Sequence, residues 1–373
     1  MNSEKGKEAR VLKRIGAALV LLALLLSAAG CGGIIKKDYL SFQPHVEPSS
    51  AAPAQEPEEQ PPLVGNRTEL RGTVLSFVRD WTELGTIRVR DYDGDIAADL
   101  SETMEYITRE DPIGAYAVDY ADAELLGSAS YGTIEVRLVF RRSAAEIDAI
   151  VTVSGSAGAE EKIRAALNNF DTALTLRIRN YAEADFAAQI RKYCLSNPAL
   201  MPVLPEVSAS VYPQEGETRI LELHFTYSAT RDEMRTMQNS VSTLLSSASA
   251  YVRAEEDGME RMQRLFRYLI MRISYTAAEE PVDCPAYSLL KERLASSLAF
   301  ASVVCAECSQ SEIPCEIVEG TRDGQSWAWN RIRLGGETYY VDLMRSWELQ
   351  EADLSLLSRE DLLNLGYAWE KAS

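Results

Sequence analysis

Histidine is nearly missing from this chain. Among 373 residues only His45 and His224 carry an imidazole. The first lies in a proline-rich stretch and the second in a strand-like segment, so an imidazole base or a histidine-built metal site is not expected. Basic charge is also short: 38 Lys and Arg face 56 Asp and Glu, a formal net charge of −18. A surface of that sign repels polyanions, which disfavours nucleic acid as a partner. Cys305-Ala-Glu-Cys308 has a CxxC spacing, but no second ligand pair accompanies it, so no metal and no other cofactor is expected. The apolar run Ile15–Leu26 has only twelve residues, too few to span a bilayer comfortably.

What the first thirty residues do contain is a targeting pattern. Lys5, Lys7, Arg10, Lys13 and Arg14 precede the apolar run, and Ser27-Ala28-Ala29-Gly30-Cys31 follows it. This resembles the lipobox of bacterial lipoproteins. The resemblance implies cleavage before Cys31, whose sulfur takes a diacylglyceryl group, with acyl chains such as palmitate. Two or three acyl chains hold a protein at a membrane far more firmly than one. Residues 1–30 then read as a signal peptide, and the mature protein as lipid-anchored on the extracytoplasmic side of a bacterial cell membrane. Residues 31–66 read as a tether: six prolines fall between Pro44 and Pro62, interleaved with Ala, Ser, Gln and four glutamates. Such a composition buries too little apolar surface to order itself. At roughly 3 Å per residue it reaches on the order of 90 Å.

Cys194, Cys284, Cys305, Cys308 and Cys315 remain, an odd number. On the apolar face of a helix they read first as small buried hydrophobes. A disulfide or a redox role stays open.

The chain then repeats itself. Thr86-Ile-Arg-Val-Arg-Asp-Tyr92 matches Thr175-Leu-Arg-Ile-Arg-Asn-Tyr181, and Thr133-Ile-Glu-Val-Arg-Leu-Val-Phe140 matches Ile220-Leu-Glu-Leu-His-Phe-Thr-Tyr227, in the same order and at nearly the same offset. Each second match is followed by a capping box, Ser143-Ala-Ala-Glu146 and Thr230-Arg-Asp-Glu233. The alternation of apolar and charged residues predicts strands with one covered face. Ile96–Ile107 and Phe186–Cys194 show helical spacing, and a helix interrupted at Gly155–Gly158 is expected over Ala144–Asn169. Two small α/β modules are therefore expected, at residues 67–160 and 161–252. Arg88, Arg90, Arg177 and Arg179 read as solvated strand residues rather than a ligand patch.

From Thr230 a long helix is expected to about Val252, and after a break at Glu255–Gly258 an amphipathic helix over Met259–Arg272. Four blocks follow: Tyr287-Ser-Leu-Leu running to Ser297-Leu-Ala-Phe-Ala, then Ile313-Pro-Cys-Glu, then Ser326-Trp-Ala-Trp-Asn, then Tyr339-Tyr-Val-Asp342. In order and spacing they resemble the core of the transglutaminase-like, papain-related domain. The resemblance spans about Asp257–Trp369 and implies an α+β domain over residues 253–373, placed after the tandem α/β modules.

In that family the nucleophile is a cysteine at the start of a helix, a histidine is its base, and an aspartate orients the imidazole. By the alignment of blocks those positions hold Ser297, Trp327 and Asp342. A serine hydroxyl needs a base, and an indole has one donor and no acceptor. His45 and His224 lie elsewhere, and Cys305 and Cys308 fall in the body of the helix, away from its N-terminus. The triad is therefore degenerate, and no catalytic residue is expected. Asp342 reads as an acceptor for the Trp327 indole N–H. Ser297, Trp327, Trp329 and Asp342 are the candidate ligand cleft; Trp329 reads first as core, since the family keeps an aromatic there, and Trp327 first as a plug that packs in the vacant site. The expected role is a binding or scaffolding pseudoenzyme at the cell envelope, with wall peptide, glycan or an envelope protein as partner. The competing expectation is an active peptidase or acyltransferase with a displaced triad.

Overall fold

The structure, a computed structural model, describes residues 60–252, 257–279 and 281–370. The signal segment, Cys31, His45 and the tether up to residue 59 lie outside the described residues. Among the described residues no helix is long and apolar enough to cross a membrane.

Strands β1 (Leu63–Asn66), β2 (Leu84–Asp93), β3 (Val118–Gly127) and β4 (Tyr131–Phe140) form a sheet in the order β1-β2-β4-β3. β1 is parallel to β2, and the other pairs are antiparallel. In β2 the buried residues Ile87 and Val89 alternate with exposed Arg88 and Arg90, as a sheet with one covered face requires. The cover is α1 (Arg67–Arg79) and α2 (Ile96–Arg109). α1 buries Leu70, Val74 and Val78, four residues apart on one face. Asn66 starts α1 by accepting the Glu69 N–H, and Asp95 starts α2 in the same way. After β2 and α2 come two short helices, α3 (Pro112–Ala117) before β3 and α4 (Ala144–Asp148) after β4.

The next module repeats this plan. β5 (Val151–Ser154), α5 (Gly155–Asn168), β6 (Ala173–Arg179), α6 (Phe186–Ser196), β7 (Glu206–Tyr212) and β8 (Thr218–Thr226) pair in the order β5-β6-β8-β7. Each element begins 87 to 90 residues after its counterpart. Two boundaries differ from the sequence expectation. Leu63–Asn66, which composition places in the tether, is the first strand. Ala144–Asn169 is not one interrupted helix, because β5 lies inside it and Gly155, at φ +64, makes the turn into α5. A four-residue strand is too short to show a period of two against the helices beside it.

α3 and Ile147 of α4 lie on the outer face of the second sheet, where Tyr116, Ala117 and Ile147 bury Ile220. The Arg142 guanidinium crosses the same contact to Glu222, at 2.6 Å, and stacks over the Tyr116 ring. Glu222 is buried, so removing its carboxylate leaves the half-buried Arg142 guanidinium, among the described residues, with only the longer pair to Glu146, at 3.7 Å. Glu222→Ala is expected to cost about 2–3 kcal/mol, and Glu222→Gln distinctly less, since the amide still accepts a hydrogen bond. Urea denaturation checks this; equal midpoints for wild type and Glu222→Ala would refute it.

The C-terminal part opens with α7 (Arg231–Val252) and α8 (Gly258–Phe266), the latter extended by a π-turn over Arg267–Met271. β9 (Thr276–Ala277) and β10 (Leu294–Ala295) pair in parallel. Then follow α9 (Ser297–Gln310) and the strands β11 (Cys315–Arg322), β12 (Gln325–Leu334) and β13 (Glu337–Val341). After them come α10 (Leu343–Glu348), α11 (Arg359–Asn364) and β14 (Tyr367–Ala368), and the sheet order is β13-β12-β11-β14. α9 buries every residue from Ala299 to Cys308, which marks it as the central helix, with protein on all sides. The Ser302 hydroxyl donates to the Leu195 carbonyl at 2.6 Å, tying α9 to α6 of the second module.

Candidate functional site

Ser296 decides where α9 begins. Its backbone is extended, and its hydroxyl oxygen accepts the Ala299 N–H at 3.2 Å. Ser297 is therefore the first residue of a fourteen-residue helix, at the positive end of its dipole. β12 passes alongside, and the Ala328 N–H donates to Ser297 Oγ at 3.2 Å.

Asp342 begins α10. Its Oδ1 accepts the Arg345 N–H at 2.9 Å, while Oδ2 accepts both the Trp327 indole N–H and the Tyr367 hydroxyl, each at 2.6 Å. The bond from Trp327 to Asp342 is the one expected from the sequence. Burial pushes the Asp342 carboxyl above the usual carboxylate range, although the three donors and the Arg322 charge pull the other way. Burial, and the adjacent Asp342, also raise the Tyr367 phenol, so it stays a donor at ordinary pH. Arg322 lies over the Trp327 ring, 4.9 Å from its centre, and pairs with Glu348 at 2.8 Å. The indole is thus held by its N–H and by one face.

In front of these groups lies an open cleft of about 540 Å³, a volume ordinary for a ligand site. Ser297 and Trp327 line it, with Ser296, Gln325, Ser326 and Met344. The two other candidate residues do not. Asp342 is 4% exposed and sits behind Trp327. Trp329 is core, 1% exposed and edge-on to Tyr367 and Trp369, with ring centres 5.1 and 5.3 Å away. Residues two apart on a strand share a face, and here the first meets the cleft while the second is covered by the C-terminal segment.

One wall of the cleft comes from a distance. Arg191 of α6 holds Glu319 of β11 through three hydrogen bonds, Nε to Oε1 at 3.0 Å and to Oε2 at 3.2 Å, and Nη2 to Oε2 at 2.6 Å, and both residues line the cleft. Sequence reasoning missed Arg191, Glu319, Arg322 and Tyr367: Glu319 follows Ile313-Pro-Cys-Glu without a marked role, Arg322 and Tyr367 fall outside the blocks, and Arg191 belongs to another module.

Among the described residues no cysteine lines the cleft. Cys305 and Cys308 are buried in the body of α9, Cys315 opens β11, and Cys194 is in the core of the second module with its thiol pushed up to about 12 by burial. His224 is exposed on β8. The cleft thus offers a hydroxyl, an aromatic surface and amide and carboxylate groups. No group that could deprotonate Ser297 is hydrogen-bonded to it among the described contacts.

Residues 246–344 match the family model of the transglutaminase-like superfamily. The chain therefore carries a transglutaminase-like domain, and its fold class is α+β. Among solved structures it is similar to a TGase, with 10% identity over 51% of this chain and 58% of that one, at a TM-score of 0.25. It is similar to a candidate cysteine protease from Cytophaga hutchinsonii, with 14% identity over 41% of this chain and 66% of the other, at 0.26. A candidate protease from Parabacteroides distasonis gives 8% identity over 45% and 39%, at 0.22. The chain thus spans between about two fifths and two thirds of the length of these proteins, and such low scores say nothing of its activity. Comparison with curated proteins finds no match.

Proposed function

We propose that this protein is a lipid-anchored, extracytoplasmic bacterial protein whose transglutaminase-like domain binds a ligand of the cell envelope without reacting with it. The observation that carries this reading is the 2.6 Å bond from the Trp327 indole N–H to Asp342. The carboxylate that would orient a catalytic imidazole here orients an indole, which has no lone pair with which to take a proton from Ser297. Losing the base and the thiol together removes nearly all of a triad's rate acceleration.

What remains suits recognition. With Arg191 and Glu319 paired, the cleft offers serine hydroxyls, the Gln325 amide, the Glu279 carboxylate and the accessible part of Trp327. A flat aromatic surface among hydroxyl, amide and carboxylate groups fits the sugar rings of a wall glycan or the backbone of an extended wall peptide. The indole donor is already engaged, so Trp327 would contribute apolar contact rather than a hydrogen bond.

Binding of purified peptidoglycan fragments, followed by tryptophan fluorescence, tests this. Trp327→Ala is expected to weaken binding by tenfold or more, and Trp327→Phe by less. In amidase and amine-incorporation assays Ser297→Ala and wild type should be indistinguishable. An activity that Ser297→Ala abolishes would overturn the reading in favour of an enzyme, and undiminished binding by Trp327→Ala would move the ligand away from this cleft.

A further inference from the structure

A second chemical feature lies behind the cleft, on the same helix. Cys305 and Cys308 are one turn apart on α9, and Cys315, ten residues after Cys305, begins β11 and packs against the same core. The turn over Ser311–Pro314 brings them together. Cys305 Sγ lies 3.8 Å from the Cys315 carbonyl oxygen, and the Asn330 side-chain amide reaches both the Ala301 carbonyl, at 2.9 Å, and Cys315 Sγ, at 3.5 Å. That amide ties the sulfur of Cys315 to the turn of α9 that precedes Cys305. Cys308 also reaches Cys315, and its sulfur lies 3.5 Å from the Met262 sulfur of α8. Among the described residues no group of three His, Cys, Asp or Glu is placed to hold a metal ion. The sequence left a disulfide open without indicating a partner; the fold brings Cys315 beside two candidates, of which Cys305 has no other sulfur partner among the described contacts.

We propose that Cys305 and Cys315 are an oxidisable pair that closes to a disulfide and staples β11 to α9. The oxidant is a small-molecule disulfide of the glutathione class. The Cys315 thiolate attacks one of its sulfurs and expels a thiolate, giving a mixed disulfide. The Cys305 thiolate then attacks the Cys315 sulfur and expels the second thiolate. Two protein thiols are oxidised, one disulfide is reduced to two thiols, and the two protons released are taken up by the leaving thiolates or by water. An open groove of about 450 Å³ runs past Cys315 between Pro314, Glu316, Arg331 and Thr338, while Cys305 is 4% exposed. Attack therefore begins at Cys315. The Cys315 sulfur and burial hold the Cys305 thiol protonated; at Cys315 the Cys305 contact favours the thiolate, but the Cys308 sulfur and burial outweigh it, so the reaction is slow at neutral pH and speeds up as pH rises.

The bond would join the two walls of the cleft, because α9 begins with Ser297 and β11 carries Glu319 and Gly320. The test uses the full chain incubated with oxidised glutathione, alkylated in denaturant and cut by a glutamyl endopeptidase. Cleavage after Glu307 and Glu312 puts Cys305, Cys308 and Cys315 on separate peptides. The expected result is a linked pair of peptides holding Cys305 and Cys315, with Cys308 alkylated, and a Tm about 5 °C above that of the reduced protein. Cys308→Ala should keep the link and Cys305→Ala should lose it. Three alkylated peptides, or a link through Cys308 in the wild type, would overturn the proposal, and neither outcome depends on a variant folding.

Discussion

In the Ser297→Cys, Trp327→His double variant, the new thiol at position 297 is expected to be alkylated by iodoacetamide at pH 6 about tenfold faster than in the Ser297→Cys single variant. Three parts of the required frame are already in place. Position 297 is the first residue of a long buried helix, where the dipole favours a thiolate. Asp342 is buried behind position 327 and already accepts a hydrogen bond from it. β12 runs against the helix start, with the Ala328 N–H on the position-297 side chain. An imidazole would donate from one nitrogen to Asp342 and keep the other as an acceptor, which the indole cannot do. Lowering the thiol by about two pK units multiplies the thiolate fraction about a hundredfold at this pH, and the weaker nucleophilicity of the more acidic thiol takes back about tenfold. The native cysteines are separated from the signal by peptide mapping. Equal rates in the two variants, with circular dichroism unchanged, would mean that positions 297, 327 and 342 do not form a triad frame.

That these three residues could be singled out beforehand rests on order and spacing, which survive substitution of the chemistry. The Trp327–Asp342 bond was also legible, because a buried carboxylate next to an indole leaves few other arrangements. Which residues face the cleft was not. Trp327 and Trp329 are equivalent by strand alternation, and only the C-terminal segment, through Tyr367 and Trp369, distinguishes them. Arg191 shows the same limit more sharply: its partner Glu319 is 128 residues away, and the charge pattern of α6 gives no hint of it.

The modules follow a similar rule. β2 and β6 announce themselves through alternating arginines and aliphatics, β4 and β8 through aliphatics alternating with Glu135 and Arg137 or with Glu222 and His224, and the strand order of both sheets is the same. β1 and β5 do not, since each has four residues and takes its place from pairing with a longer neighbour. A strand that short owes its existence to tertiary contacts, and local sequence has little to say about it.

Asp342→Ala is expected to destabilise the protein by about 2–4 kcal/mol in urea. The substitution leaves the Trp327 indole, the Tyr367 hydroxyl and the Arg345 N–H without their acceptor, and α10 without its cap. Three orphaned donors taken at face value would predict more, but the Asp342 carboxyl is held above its unfolded value, so burying its charge offsets part of what the hydrogen bonds contribute. The sign is testable. A carboxyl raised in the folded state binds more protons there than in the unfolded chain, so its contribution is largest at low pH. It falls as pH rises from the unfolded value of 3.8 through the raised folded one. Wild type should therefore gain stability relative to Asp342→Ala as pH is lowered through that window, even where other carboxylates make both proteins less stable in absolute terms. Asp342→Asn should fall between them: one amide oxygen can still serve Trp327 and Tyr367, but the NH₂ then faces the Arg345 N–H. If the difference between wild type and Asp342→Ala instead shrank on acidification, Asp342 would be stabilised as a carboxylate, and the site would retain the charge that an orienting aspartate needs.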